Sequence, residues 1–322
     1  MENITMIAFI LSLALTFLIM PRLIPFLHKI KFSQTEREEG LESHKVKTGT
    51  PTMGGLVFVV VPVIVSIVVC PSVLTDPEML IILLAYLGYA LIGFIDDFII
   101  VVKKNNEGLK PKIKFLMQSV LAVIFFLMYI NFVGDTTLWI PVINTYINIG
   151  PVFFFILIFI MFTAESNAVN LTDGLDGLCA GVSIIALIPF ILFATDMHYD
   201  KESLFMVALL GSLLGYLWFN RHPAKIFMGD SGSLALGGLF AAIALVLKKE
   251  ILLIIIGGLF LIETLSVIIQ VVSFKTRGKR VFKMAPIHHH FEALGMSEVK
   301  VVYMFYTIEA ILAIVGYVLG VI

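Results

Sequence analysis

Charge is what this chain has least of. Only 14% of its 322 residues are Asp, Glu, Lys or Arg, while 59% belong to the hydrophobic set; an average soluble domain is about 25% charged and about 45–50% apolar. Too few polar side chains remain to cover a soluble globule of this size. An intrinsically disordered or collagen-like chain is excluded on the same grounds. Cysteine is nearly missing as well: Cys70 and Cys179 are the two present, both in apolar runs and without metal-ligand spacing. That excludes a disulfide-stapled secreted scaffold. A formal net charge of −1 makes no electrostatic case for nucleic acid, so none is expected as a partner. The first apolar run has no basic n-region and no small-residue cleavage site, so it reads as a span rather than a cleaved signal peptide. No fixed-period repeat, low-complexity stretch or soluble domain interrupts the chain. The remaining class is an all-α polytopic membrane protein, read as one transmembrane domain over 1–322.

A spanning helix needs roughly 20 mostly apolar residues. About ten such runs occur, near 4–27, 53–70, 79–95, 114–131, 149–163, 178–195, 204–219, 233–247, 251–273 and 301–322. The fifth and eighth are short, as tilted or partly re-entrant segments would be. Lys and Arg then orient the chain through the positive-inside rule. Lys29, Lys31, Arg37, Lys45 and Lys47 lie between the first and second runs, and Lys103, Lys104, Lys110, Lys112 and Lys114 between the third and fourth. Arg221 and Lys225 follow the seventh, and Lys275, Arg277, Lys279, Arg280, Lys283 and Lys300 follow the ninth. Thus eighteen of the 22 basic residues share one side, against Lys201, Lys248 and Lys249 on the other and Arg22 inside the first run. This asymmetry predicts cytoplasmic odd-to-even loops and two extracytoplasmic termini.

The polar residues capable of chemistry fall on that same cytoplasmic side. Asp96-Asp97 ends the third run, and the segment 167–177, holding Asn167, Asn170, Asp173 and Asp176, is read as the fifth-to-sixth loop. The segment 220–233, from Asn220 through Asp230 to Ser233, is read as the seventh-to-eighth loop, and His288, His289 and His290 as part of the ninth-to-tenth. Each has an ordinary structural reading. A carboxylate pair at a helix end is often a solvated cap, a Gly-Leu-Asp-Gly turn is often only a turn, and loop lysines usually set topology. Their shared side argues for one composite site. Glu263 and Glu309, inside the ninth and tenth runs, are costly in lipid and are expected to face protein or water.

Carboxylates and amide oxygens without thiolates suit a hard cation such as Mg²⁺. Lysines and histidines complement phosphate oxygens. Acids, a hard metal and basic groups together match phosphoryl transfer, in which positioning and charge neutralisation supply most of the rate. No P-loop is present, which excludes a Walker-type ATPase.

Five segments resemble the phospho-N-acetylmuramoyl-pentapeptide transferases of the polyprenyl-phosphate N-acetylhexosamine-1-phosphate transferase superfamily. They are Lys47-Thr48-Gly49-Thr50-Pro51-Thr52-Met53-Gly54-Gly55, Ile92-Gly93-Phe94-Ile95-Asp96-Asp97, 167–177, Phe227-Met228-Gly229-Asp230-Ser231-Gly232-Ser233, and Pro286-Ile287-His288-His289-His290-Phe291-Glu292. The resemblance implies transfer of phospho-MurNAc-pentapeptide from UDP-MurNAc-pentapeptide to undecaprenyl phosphate, giving lipid I and UMP with Mg²⁺ as cofactor, at the bacterial cytoplasmic membrane. A homodimer is an assembly it admits.

Carried over residue by residue, the resemblance implies that Asp230 is the metal ligand and that Asp96 and Asp97 stand beside the polyprenyl phosphate, one of them base or nucleophile. It implies a catalytic Asp173, and Asn170 and Asp176 on the nucleotide side. Phe227 is expected to stack on uracil, with Lys47, Thr52, Asn167, Asn220, Ser233 and Gln270 as further lining residues and His288, His289 and His290 as the histidine loop. Lys114 is preferred over Lys112. Many relatives carry a lysine where this chain has Ile100, so the contact it makes there is expected either to be absent or to be taken over by Lys103 or Lys104. Two other readings compete: a sister transferase of plain N-acetylhexosamine 1-phosphate, and a secondary transporter. The second would place its polar groups near mid-membrane on repeated halves.

Overall fold

The computed structural model describes residues 2–29, 47, 49–103 and 108–322. Among them are twelve helices: α1 (Glu2–Lys29), α2 (Gly55–Val69), α3 (Pro77–Lys103), α4 (Pro111–Phe132), α5 (Gly150–Thr172), α6 (Leu178–Asp196), α7 (Asp200–Asn220), α8 (Asp230–Val246), α9 (Glu250–Ile256), α10 (Gly258–Arg277), α11 (Ile287–Ala293) and α12 (Glu298–Val321). A two-stranded antiparallel hairpin, β1 (Thr137–Ile140) and β2 (Thr145–Asn148), is the sheet found among the described residues.

Eight of the helices, α1, α3–α7, α10 and α12, are long and apolar enough to cross a membrane, and α2 and α8 are shorter apolar helices. At about 1.5 Å rise per residue, 15 or 17 residues do not reach across a hydrocarbon core of about 30 Å. Every residue of α8 from Ser231 to Val246 is buried. It is apolar on all sides, as a helix enclosed by others must be. Its Gly237, Gly238, Ala241 and Ala242 keep it thin enough for α3 and α5 to press against it.

Three sequence expectations change. The fifth run is a full 23-residue helix, so Asn167 and Asn170 stand on its last turns and the loop begins only at Asp173. The ninth run is broken at Gly257, where α9 ends and α10 begins; a side chain there would meet Leu253 O and Glu165 Oε1. The histidines lie on the short helix α11 rather than in an open loop.

The hairpin, not foreseen from sequence, is held by Lys248, whose ammonium donates to the carbonyls of Asp135 (3.1 Å) and Thr137 (2.9 Å). Lys249 lies 3.7 Å above the Trp139 ring. Glu263 and Glu309 are both fully buried against protein. Lys31, Arg37, Lys45 and Lys104 lie outside the described residues.

Candidate functional site

One end of the bundle gathers nearly all the chemistry, because α3, α5 and α7 finish there while α4, α8 and α12 start there. Pro111 opens α4 at its first position, where a missing N–H costs nothing. One turn later Lys114 donates to Asp230 Oδ2 and stands 3.9 Å from Asp96 Oδ2. Lys112, by contrast, is exposed. Asn170 donates to Asp230 Oδ1 at 2.7 Å and to Ser233 Oγ at 2.8 Å. Asn167, one turn back on α5, bonds Gln118 Oε1 at 3.0 Å instead, and so lies behind this cluster.

Asp97 has a different surrounding from Asp96. Its two oxygens accept the backbone N–H groups of Asp230 (3.0 Å) and Ser231 (2.9 Å), the first orphan donors of α8. Asp96 accepts the Leu109 N–H at 2.7 Å and keeps an oxygen turned toward Lys114. The crossing is possible because residue 93 is glycine: a Cβ there would stand 2.0 Å from Asp230 O. Lys103 is exposed at the end of α3.

A second cluster faces the turn after α5. Lys47 donates to Asp176 Oδ1 (2.7 Å) and Glu298 Oε1 (2.6 Å). Glu298 also accepts the Asp176 N–H at 2.7 Å. His222 Nδ1 lies 3.1 Å from Asp176 Oδ2 and 3.4 Å from Glu298 Oε2. Burial alone would lower the Lys47 pKa, but the Glu298 and Asp176 carboxylates reverse that and hold it above the ordinary lysine value. Asp173, between the clusters, is pushed up to about 7, first by burial and then by the charges of Asp230 and Asp176, with Lys47 opposing. Asn220 is buried and fully used: Oδ1 accepts the Gly177 N–H (3.1 Å) and Nδ2 donates to Ile226 O (2.9 Å).

The segment before α8 is zipped to the one before α2. Phe227 N donates to Pro51 O at 2.8 Å, and Gly54 N to Phe227 O at 2.9 Å; the Phe227 side chain is partly buried beside them. Thr52 lies in this seam, buried, with its hydroxyl unpartnered. His288 is fully buried, its Nδ1 3.1 Å from Glu263 Oε1. It presses on the turn after α5 so closely that a Cβ on Gly174 would meet its Nε2 at 2.2 Å. His289 Nδ1 lies 2.9 Å from Glu292 Oε2, and His290 Nδ1 accepts the Lys283 N–H at 3.1 Å. Gln270 is occupied by the segment after α10, accepting from Val281 and Phe282 and donating to Phe282 O.

Two groups can be weighed as cation sites. Asp96 and Asp230 supply oxygen donors only, the kind a hard cation takes, while both Asp97 oxygens are engaged by α8 N–H groups. The unpartnered Thr52 hydroxyl flanks the same spot as Asp97, both lying within 3 Å of where a Cβ of Gly229 would be. The Lys114 ammonium already serves there as the compensating charge. This donor set fits Mg²⁺. In Asp176, His222 and Glu298 the ligand atoms lie within 4.8 Å of one another, but that set includes an imidazole nitrogen, a donor less suited to a hard cation. Glu298, His222 and Gln118 were not singled out by sequence. Glu298 opens a helix, where an acid reads simply as favourable to the helix dipole.

The profile of glycosyl transferase family 4 matches residues 79–248, the stretch from α3 to the end of α8, and so defines a membrane-embedded transferase. The phospho-N-acetylmuramoyl-pentapeptide-transferase signature 1 matches residues 47–59. Proteins named phospho-N-acetylmuramoyl-pentapeptide-transferase from Halalkalibacterium halodurans (49% identical over 98% of this chain and 97% of the relative) and Bacillus subtilis (47%, 98% of each) align almost end to end. One from Staphylococcus aureus is 50% identical over 97% of this chain and 98% of its own length. The chain belongs to the phospho-N-acetylmuramoyl-pentapeptide transferase family and is a multi-pass bacterial membrane protein.

Proposed function

We propose that this protein transfers phospho-MurNAc-pentapeptide from UDP-MurNAc-pentapeptide to undecaprenyl phosphate, forming lipid I and UMP at the cytoplasmic face of the membrane. The observation that carries the reading is the junction of Asp96, Lys114, Asn170 and Asp230. It puts two carboxylates, an ammonium and an amide at the helix ends, where a cytosolic nucleotide and an inner-leaflet lipid phosphate meet. These groups gather at helix ends rather than near mid-membrane, which favours an enzyme over a transporter.

Asp230 and Asp96 would hold Mg²⁺, which when bound neutralises diphosphate charge and polarises the phosphorus under attack. The chain's own groups do the rest. Lys114 offsets the charge of the two anions brought together, and Asn170 fixes the Asp230 carboxylate through its amide. A monoester phosphate has its second pKa near about 6 and is mostly dianionic at neutral pH, so little proton remains for a base to remove. The lipid phosphate oxygen then forms the new bond to the sugar-linked phosphorus as the bond to the UMP oxygen breaks, and UMP leaves as an anion. Asp97 is engaged by two α8 N–H groups, which supports single displacement over an Asp97-linked intermediate.

The test is UMP release by the purified protein with both substrates and Mg²⁺. Turnover with UDP-GlcNAc but none with UDP-MurNAc-pentapeptide would overturn the reading in favour of the sister transferases. A radiolabelled sugar phosphate trapped on Asp96 or Asp97 without lipid acceptor would overturn the single displacement.

A further inference from the structure

Glu298 lies at the centre of the second cluster, and nothing in the transferase reading needs it. Its carboxylate accepts from the Lys47 ammonium at 2.6 Å and from the Asp176 N–H at 2.7 Å, and stands 3.4 Å from His222 Nδ1. It thereby joins three stretches of chain that are remote in sequence: the residues before α2, the turn after α5 and the segment after α7. Its side chain is only 10% exposed and that of Asp176 2%, so these bonds are not competing freely with water.

Without Glu298, the buried Asp176 N–H would lose its acceptor and Lys47 would keep a single carboxylate. The Asp176 carboxylate would keep the Lys47 ammonium and the Ala224 N–H (3.0 Å), but the Lys47 ammonium would no longer be held between two carboxylates, nor the Asp176 backbone anchored to α12. Charge balance points the same way. One lysine between two carboxylates leaves the cluster without surplus positive charge, so Glu298 acts by fixing geometry rather than by attracting an anion.

We infer that Glu298 is a positioning residue for the nucleotide end of the site, holding Lys47 and Asp176 in the orientation that receives UDP-MurNAc-pentapeptide. This rests on the transferase reading above. A natural comparator lies two turns along the same helix. The Tyr306 hydroxyl donates to Gly177 O at 2.6 Å, tying α12 to the same turn without touching Lys47.

The experiment measures UMP release by the full-length protein in detergent, varying each substrate at saturation of the other, for the wild type, Glu298→Gln and Tyr306→Phe. Glu298→Gln is expected to raise KM for UDP-MurNAc-pentapeptide about tenfold or more, the scale of a hydrogen bond between charged groups. KM for undecaprenyl phosphate and kcat are expected to stay within about threefold, because neither depends on this cluster. Tyr306→Phe is expected to move all three values by less than about threefold, a lost neutral hydrogen bond being the weaker loss. If both variants shift the same parameter equally, or if Glu298→Gln leaves the nucleotide KM unchanged, Glu298 is only a staple of α12 and the inference falls. If Glu298→Gln is not recovered folded, Glu298→Asp takes its place with the same criteria. A wild type that releases no UMP overturns the transferase reading itself and this inference with it; a wild type that does so leaves the variants to judge Glu298 alone.

Discussion

The carboxylate of Asp97 accepts the backbone N–H of Asp230 at 3.0 Å, so the last acid of the α3 pair is the N-terminal cap of α8. With Ser231 as its second donor at 2.9 Å, Asp97 satisfies two of the four N–H groups that every helix start leaves open. Its neighbour Asp96 makes one backbone bond and faces Lys114. Adjacent in sequence, the two carboxylates are therefore expected to differ in what their loss does.

Asp97→Ala should destabilise the fold by about 1–3 kcal/mol, the range for losing a buried cap and stranding its donors. Asp96→Asn should leave thermal stability close to that of the wild type while suppressing UMP release. Melting curves in detergent, run beside the UMP assay, check both. Equal destabilisation by the two would contradict the division.

Lys114 and Lys112 are two residues apart and should behave oppositely. Lys114→Gln removes the cation between Asp230 and Asp96, and kcat for UMP release is expected to fall about 100-fold or more, as on loss of a preorganised charge-stabilising donor. Lys112→Gln should stay within about twofold of the wild type, the ordinary scale of an exposed substitution.

Chelation should abolish UMP release and added Mg²⁺ should restore it. Asp230→Asn is expected to lose that restoration at any Mg²⁺ concentration, since a neutral amide is a poor ligand for a hard cation. Unimpaired UMP release in excess chelator would remove Mg²⁺ from the proposal.

Asp173 should make stability depend on pH. Its folded pKa is raised to about 7, above the ordinary carboxyl value, so the folded state binds more protons than the unfolded one between those limits. This residue's contribution therefore falls as pH rises toward about 7 and is constant beyond it. The melting temperature of Asp173→Asn relative to the wild type should accordingly rise with pH and then level off. A difference independent of pH would count against the raised value.

Gly93→Ala places a methyl 2.0 Å from Asp230 O, against backbone that cannot step aside. A loss of about 1–3 kcal/mol is expected from overpacking at the α3–α8 crossing, read as a lowered melting temperature. Gly88→Ala, on the same helix, where the nearest atoms are those of the Leu121 side chain at 3.1 Å or more, should cost less.

Much of this protein can be read from its amino acids. The apolar runs report transfer of each segment into an apolar setting, which is a local quantity. All ten runs therefore correspond to apolar helical segments, and the five motifs suffice to suggest the family. Local hydropathy does not register what packs on what. It missed the hairpin, which depends on Lys248 and Lys249 from a distant turn, and it could not show that α8 is enclosed on every side. Nor could it separate Asp96 from Asp97 or Lys112 from Lys114, pairs with nearly the same neighbours in sequence. The bond between Lys47 and Glu298 joins residues 251 positions apart, and which remote helix ends meet is decided only when the bundle packs. Composition determined that this chain lives in a membrane and what kinds of groups it brings there; the tertiary structure alone decided which of those groups hold the scaffold and which are left to face a substrate.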